Sequence, residues 1–91
     1  MVRTSRSSPL RIAEFPAGPS LGVVGVTLCP GKKDPNAMTG AWDRNLEIDL
    51  AAVSAWGAVA VVTIMEQHEL DGLGVPQIGE RVRHHEMEWF W

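Results

Sequence analysis

Residues 45–65 read NLEIDLAAVSAWGAVAVVTIM, and this stretch decides the fold because its hydrophobic period changes halfway along. Up to Trp56 the apolar residues Leu46, Leu50 and Val53 recur at i, i+4 and i+7, with Ile48 widening the stripe. That is the one-sided pattern of a packed helix over residues 45–56. The end signals agree with it. The Asn45 side chain can accept from free N–H groups, Glu47 and Asp49 sit where the positive end of the helix dipole favours anions, and Gly57 supplies a left-handed stop. Residues 58–65, AVAVVTIM, then run apolar without alternation, the pattern of a strand buried on both faces.

Outward from this helix and strand the chain supplies partners on both sides. Residues 21–28, LGVVGVTL, form a second β-branched run, with two glycines that suggest a close neighbour. Before it, residues 16–20, PAGPS, are a turn by composition, residues 11–15 a short and weakly alternating strand, and residues 1–9 a disordered polar tail. Residues 29–44, CPGKKDPNAMTGAWDR, hold no sustained period and predict a long loop, a kind that is usually functional when it is ordered. Downstream, a charged turn over residues 66–71 leads through Gly72-Leu73-Gly74 to a second helix opened by Val75-Pro76, where Pro is tolerated in the first turn. Ile78 and Val82 are its sparse inner face, and Gly79 weakens it. Residues 87–91, MEWFW, close the order β-α-β-α-β as an aromatic strand.

That order predicts an α/β fold with a mostly parallel sheet and right-handed crossovers. Two short helices do not cover it. If the strands march one way across the sheet, both helices fall on one face; if the direction reverses, each face receives one. Three strands that read as buried on both sides need roughly one more helical layer. The last strand also has no turn, cap or polar tail behind it. The expectation is an incomplete domain, with residues 10–91 its amino-terminal part and self-association through the uncovered sheet.

Composition narrows the classes. At 91 residues the chain hides roughly two-thirds of its unfolded surface at best, so a core is feasible but small. With 45% hydrophobic and 21% charged residues it is ordinary for a soluble protein. The opening MVRTSRSSPL lacks the apolar stretch of a signal peptide, and no segment has the length of a membrane span, so no membrane role is expected and the location expected is cytoplasmic. One cysteine excludes an internal disulfide. A formal net charge of -3 argues against a generic nucleic-acid binder, which needs a basic surface to displace counterions.

Function in such sheets gathers beyond the carboxyl ends of the strands. Here that means residues 29–44 and 66–74. In the first, Lys32 and Lys33 follow Gly31, a small backbone with cationic side chains that suits a phosphate or an acidic substrate. The plainer account is a solvated surface turn, the commonest use of lysine. His84-His85-Glu86 lack the convergent ligands of a metal site and read as solvated helix-end residues, the histidines favourably near the negative helix terminus. Glu66 and Glu69, with His68 between them, are helix-start acids before they are acid/base machinery. The tryptophans at 42, 56, 89 and 91 are expected in the core.

The runs LGVVGVTLCPGKK, WDRNLEIDLAAVSAWGAVAVVTIMEQHEL and LGVPQIGERV together resemble the amino-terminal half of dual-specificity protein phosphatases, the cyclin-dependent-kinase-associated kind and its bacterial relatives. The resemblance spans residues 12–91. It rests on Cys29-Pro30-Gly31-Lys32 after the first long strand, Trp42-Asp43-Arg44 before the helix, Trp56-Gly57 before the second strand, and Glu66-x-x-Glu69-Leu70 after it. It implies a cysteine-dependent phosphatase fold that hydrolyses phosphotyrosine, and often phosphoserine or phosphothreonine, through a phosphocysteine intermediate. No cofactor is implied, and the partner implied is a phosphorylated protein substrate once a carboxy-terminal half completes the domain.

The chemistry needs a thiolate of lowered pKa, backbone N–H groups and an Arg on the phosphate oxygens, and an Asp to protonate the leaving oxygen. The family supplies these from a His-Cys-x5-Arg loop and an Asp loop, and neither motif occurs in this sequence. Cys29 does not replace the nucleophile. Pro35 stands six positions after it, and Cys29-Pro30-Gly31 opens no helix. Cys29 therefore reads as a packed residue at a strand end. Lys32, Asp43 and Arg44 match the family pattern, with Lys33 beside them, and are expected to line or brace the rim of the phosphate site; for Asp43 and Arg44 the competing account is a helix cap and an ion pair fixing the loop. Two functions follow. One is the amino-terminal fragment of a protein phosphatase, inactive as it stands. The other is a non-catalytic interaction module that binds phosphorylated or acidic partners through the Lys32 loop.

Overall fold

The computed structural model describes residues 2–37 and 40–91. Over them the order is β1 (Arg3–Thr4), β2 (Ala13–Pro16), β3 (Val23–Val26), β4 (Lys33–Asp34), β5 (Trp42–Asp43), α1 (Leu46–Trp56), β6 (Ala60–Val62), α2 (Gln67–Gly72), α3 (Ile78–His84) and β7 (Glu88–Phe90). The chain is a small mixed α/β domain. Among the described residues no helix is long and apolar enough to cross a membrane.

Helix α1 forms where its periodicity and caps require. The Asn45 side chain accepts from the Ile48 N–H at 3.0 Å, and Gly57, at φ 108°, ends the helix in the left-handed region. Its inner face buries Leu50 and Val53. They join Leu70, Val75, Ile78, Val82 and Met87 in one apolar core built from the three helices, the segment between α2 and α3, and the residue that leads into β7. Strands β6 and β7 pair in parallel, Ala60 opposite Glu88 and Val62 opposite Phe90, so the expected crossover is present on this side.

Residues 67–71 of the expected charged turn are helical, with Glu66 as the cap. The Glu69 carboxylate reaches back to the Glu66 N–H at 3.0 Å and Leu70 is buried, so Glu66-x-x-Glu69 starts α2 as a capping box. The second predicted helix is α3, two residues later than Pro76 suggests, with Ile78 and Val82 inward as expected. Gly79 has a steric reason to be there. A Cβ at this position would overlap the Trp89 ring, so the loss of helix propensity is what lets β7 lie against α3.

The mostly parallel sheet is a correction. Strands β2 and β3 form an antiparallel hairpin with Ala13 opposite Val26 and Pro16 opposite Val23, and β4 and β5 are also antiparallel. Only β1 with β5 and β6 with β7 run parallel. The strand at residues 21–28, expected parallel in one sheet with the two that follow, pairs with β2 instead, and connection length accounts for that pairing. Residues 17–22 are too few for a crossover and suit a hairpin, closed by the Ala17 N–H on the Gly22 carbonyl at 3.0 Å. The strands fall into three separate small sheets rather than one. Residues 29–44, expected as loop, contain β4 and β5. Within residues 1–9, read as a disordered tail, β1 pairs with β5, and buried Ser5 accepts the Asn45 N–H at 2.8 Å.

Burial on both faces is the second correction. Every residue of β3 is exposed, and Val62 and Ile64 in and after β6 are 66% and 93% exposed. Strands β3 and β6 are not hydrogen-bonded to each other; each is paired along one edge only. Between them opens an apolar cleft of about 690 Å³, walled by Val23, Val24 and Gly25 on one side and Ala60, Val61 and Val62 on the other. The radius of gyration is 13.3 Å and the long axis 41 Å against 23 and 20 Å, where a compact chain of this length would have a radius of roughly 12 Å.

Candidate functional site

Residues 29–34 leave the end of β3 and are fixed by a carboxylate from the helix that follows. Asp49 lies on the same stripe as Leu46, Leu50 and Val53, so α1 turns it inward. There it takes a two-point bond from Arg44, Nε to Oδ2 at 2.9 Å and a terminal guanidinium nitrogen to Oδ1 at 3.0 Å. Both side chains are 1% exposed. The same Oδ2 accepts the Gly31 N–H at 2.8 Å. A buried charge is tolerable when it is paired and its remaining lone pairs are satisfied, and both conditions hold here. Gly31 has φ 74°, and a Cβ there would press on Leu46 and Val75, so glycine lets the loop pass this close to the helix start.

The second expected segment meets the first. The Lys33 N–H donates to the Leu73 carbonyl at 2.9 Å, which ties residues 29–34 to the turn after α2. The Lys33 ammonium donates to Asp43 Oδ1 at 2.9 Å and to the Arg44 carbonyl at 2.8 Å. Lys32 is bonded through its carbonyl to the Arg44 N–H at 3.0 Å, while its ammonium stands 5.5 Å from the centre of the Trp42 ring. Lys32, Lys33, Asp43 and Arg44 thus come together around one loop. Their roles differ: Arg44 is a buried brace, Asp43 and Lys33 are an exposed pair, and the helix cap is Asn45 rather than Asp43.

Cys29 sits half-buried at the root of this loop. Burial pushes its thiol pKa up, Lys32 pulls in the opposite direction, and Asp49 adds to the rise. The thiol donates to the Pro30 carbonyl at 3.6 Å. A thiol held protonated in this way is a poor nucleophile near neutral pH. The His84-His85-Glu86 run provides no metal site, and among the described residues no group of His, Cys, Asp and Glu is arranged for one. His85 instead bonds Glu47 at 3.1 Å, alongside the Arg81 guanidinium at 2.7 and 2.9 Å.

The tryptophans depart from the core assignment. None is fully buried. Trp89 borders the core, donates to Thr63 Oγ1 at 2.8 Å and stacks on Trp91, which is 64% exposed. Trp56 bonds Glu14. Trp42 is a platform for cations: Arg3 lies 3.8 Å from the ring centre and Arg44 5.7 Å, in addition to Lys32. An amphipathic indole has a polar N–H and a negative ring face, and half-exposure satisfies both.

Asp49 and Trp42, read from the sequence as a helix-start anion and a core residue, instead brace the loop and face cations. For Asp49 a signal exists, because an acid placed three residues after Leu46 on an apolar stripe must find a buried partner. For Trp42 none does, since Arg3 is far away in the chain. Comparison of the chain with models of known protein families, with curated proteins and with solved structures finds no match.

Proposed function

We propose that residues 10–91 are the amino-terminal part of a cysteine-dependent protein phosphatase domain of the phosphotyrosine and dual-specificity class, with residues 29–34 bracing one rim of its phosphate site. The observation that carries this reading is the open cleft between β3 and β6. Strands β3 and β6 each have one unpaired edge and both line one apolar space, so each has an edge left for an added strand to join. A strand laid parallel to β6 would deliver the residues that follow it to the same end as residues 66–74, which touch residues 29–34 through Lys33 and Leu73. The phosphatase class itself comes from the sequence resemblance, with support from the braced loop that carries Lys32. In that chemistry a thiolate attacks phosphorus, the bond to the leaving oxygen breaks, an Asp gives that oxygen its proton, and water then frees the phosphate from sulfur. Nothing in residues 1–91 supplies the thiolate or the acid, so the chain as it stands is inactive.

The second reading, a non-catalytic interaction module for phosphorylated or acidic partners, is favoured by the cations around Trp42. Reading the coding sequence onward from the Trp91 codon separates the two. An open frame encoding His-Cys-x5-Arg and an Asp loop supports the phosphatase; a stop at that codon overturns it and leaves the module. With either result the 91-residue chain should show no turnover of p-nitrophenyl phosphate, and turnover abolished by iodoacetamide would make Cys29 a nucleophile after all.

A further inference from the structure

Beside the braced loop lies a second, separate cleft of about 390 Å³, between residues 7–11 and Trp42. Arg3, Arg11 and Arg44 line it together with Ser8 and the Trp42 ring, and no carboxylate is among the described residues of its wall. The charges there are not equivalent. Arg44 is neutralised by Asp49, and nearby Lys33 by Asp43. Arg11 is exposed, and among the described residues neither it nor Lys32 has a carboxylate within ion-pair distance. The concentration is pronounced in a chain of net charge -3. Residues 1–44 hold six of its eight Lys and Arg and three of its eleven Asp and Glu, so the acidic surplus lies wholly in residues 45–91. Like charges drawn to one recess repel one another, and an anion entering it relieves that repulsion.

We propose that this cleft binds a phosphate group. The Arg11 guanidinium matches phosphate oxygens in a forked geometry, the Ser8 hydroxyl adds a neutral donor, and Lys32, outside the wall but 5.5 Å from the Trp42 ring centre, strengthens the positive field. Trp42 forms the apolar wall that holds these cations together, with Arg3 stacked 3.8 Å over its ring. The proposal rests on the second reading above and names its site; it does not rest on the phosphatase reading, because the site lies outside the cleft between β3 and β6 and its test measures binding rather than turnover.

The test follows amide and indole N–H signals of the uniformly labelled 91-residue chain during titration with inorganic phosphate and, separately, with phosphotyrosine. Sodium chloride at matched ionic strength is the reference. The expected result is a saturable shift of the Trp42 indole and of the Ser8 and Arg11 amides. It should be weakened about tenfold by Arg11→Gln, the loss of one charge-assisted contact, and unchanged by Arg83→Gln on α3. Tighter binding of phosphotyrosine assigns the site to a phosphorylated aromatic side chain, and equal binding assigns it to free phosphate. Shifts that chloride reproduces, or an Arg11→Gln variant that keeps the folded spectrum and binds like the parent, would overturn the proposal.

Discussion

Asp49 shows how one side chain organises the site. It satisfies Arg44 at two atoms and the Gly31 N–H at a third, with both charged groups out of water. Removing the acid alone strands a buried guanidinium, so Asp49→Ala should lose about 3–5 kcal/mol in urea denaturation, a large part of the stability of a small domain. The double variant Arg44→Met/Asp49→Leu should lose less than the single one, because the desolvation penalty of both charges leaves with them. Equal losses would show that the pair contributes more than its desolvation takes away. Glu47 is a contrasting, exposed case. The Arg81 hydrogen bond first, helped by His85, holds its carboxyl at about 2, below the ordinary 4.5. A depressed carboxyl stabilises the folded chain above the unfolded value, and this contribution is lost as pH falls from near 4.5 toward 2. The urea midpoint of the parent should therefore fall more steeply over that window than that of Glu47→Gln. The difference should be small, since the pair is partly solvated, and should shrink in about 1 M salt.

Among elements, α1 was legible in full and α2 only in its opening acids. Helix ends are specified locally, and Asn45, Glu47 and Gly57 announce α1 as clearly as Glu66 and Glu69 announce α2. The second pair was outweighed by the density of charge in residues 66–71, although a single buried residue, Leu70, is enough to seat so short a helix. In α3 the propensity argument has the wrong sign for its key residue. In isolation Gly79→Ala should favour the helix by roughly 0.5–1 kcal/mol. Here the added methyl meets the Trp89 ring, so the variant should melt lower than the parent and the near-ultraviolet circular dichroism of the tryptophans should change. A rise in melting temperature would mean that β7 can move off α3 without loss. Strand direction was local information only for β2 and β3, where the six residues between them specify a hairpin; the β-branched run of β3 says nothing of whether its other edge meets β6.

At the scale of the molecule, the core is helical and the strands carry much of the exposed apolar surface. Val23, Val24 and Val26 of β3, with Val62, Ile64, Phe90 and Trp91 around β6 and β7, are all at least half exposed. An apolar surface of this extent should bind 8-anilinonaphthalene sulfonate under native conditions and drive concentration-dependent association in sedimentation velocity. Val62→Lys and Ile64→Lys together should reduce both signals without lowering the melting temperature; a parent that binds no dye and stays monomeric would mean this surface is covered in solution. The sequence by itself determined the α/β class, helix α1 with its caps, the inner residues of α3 and the gathering of chemistry-bearing side chains in residues 29–44, because periodicity, capping and turn chemistry act over a few residues. Only the tertiary structure decided that β3 and β6 stand apart across a cleft, that Asp49 braces the loop and that Arg3 and Lys32 meet at Trp42. Those outcomes depend on which distant segments lie side by side, and hydrophobicity along the chain carries no record of that.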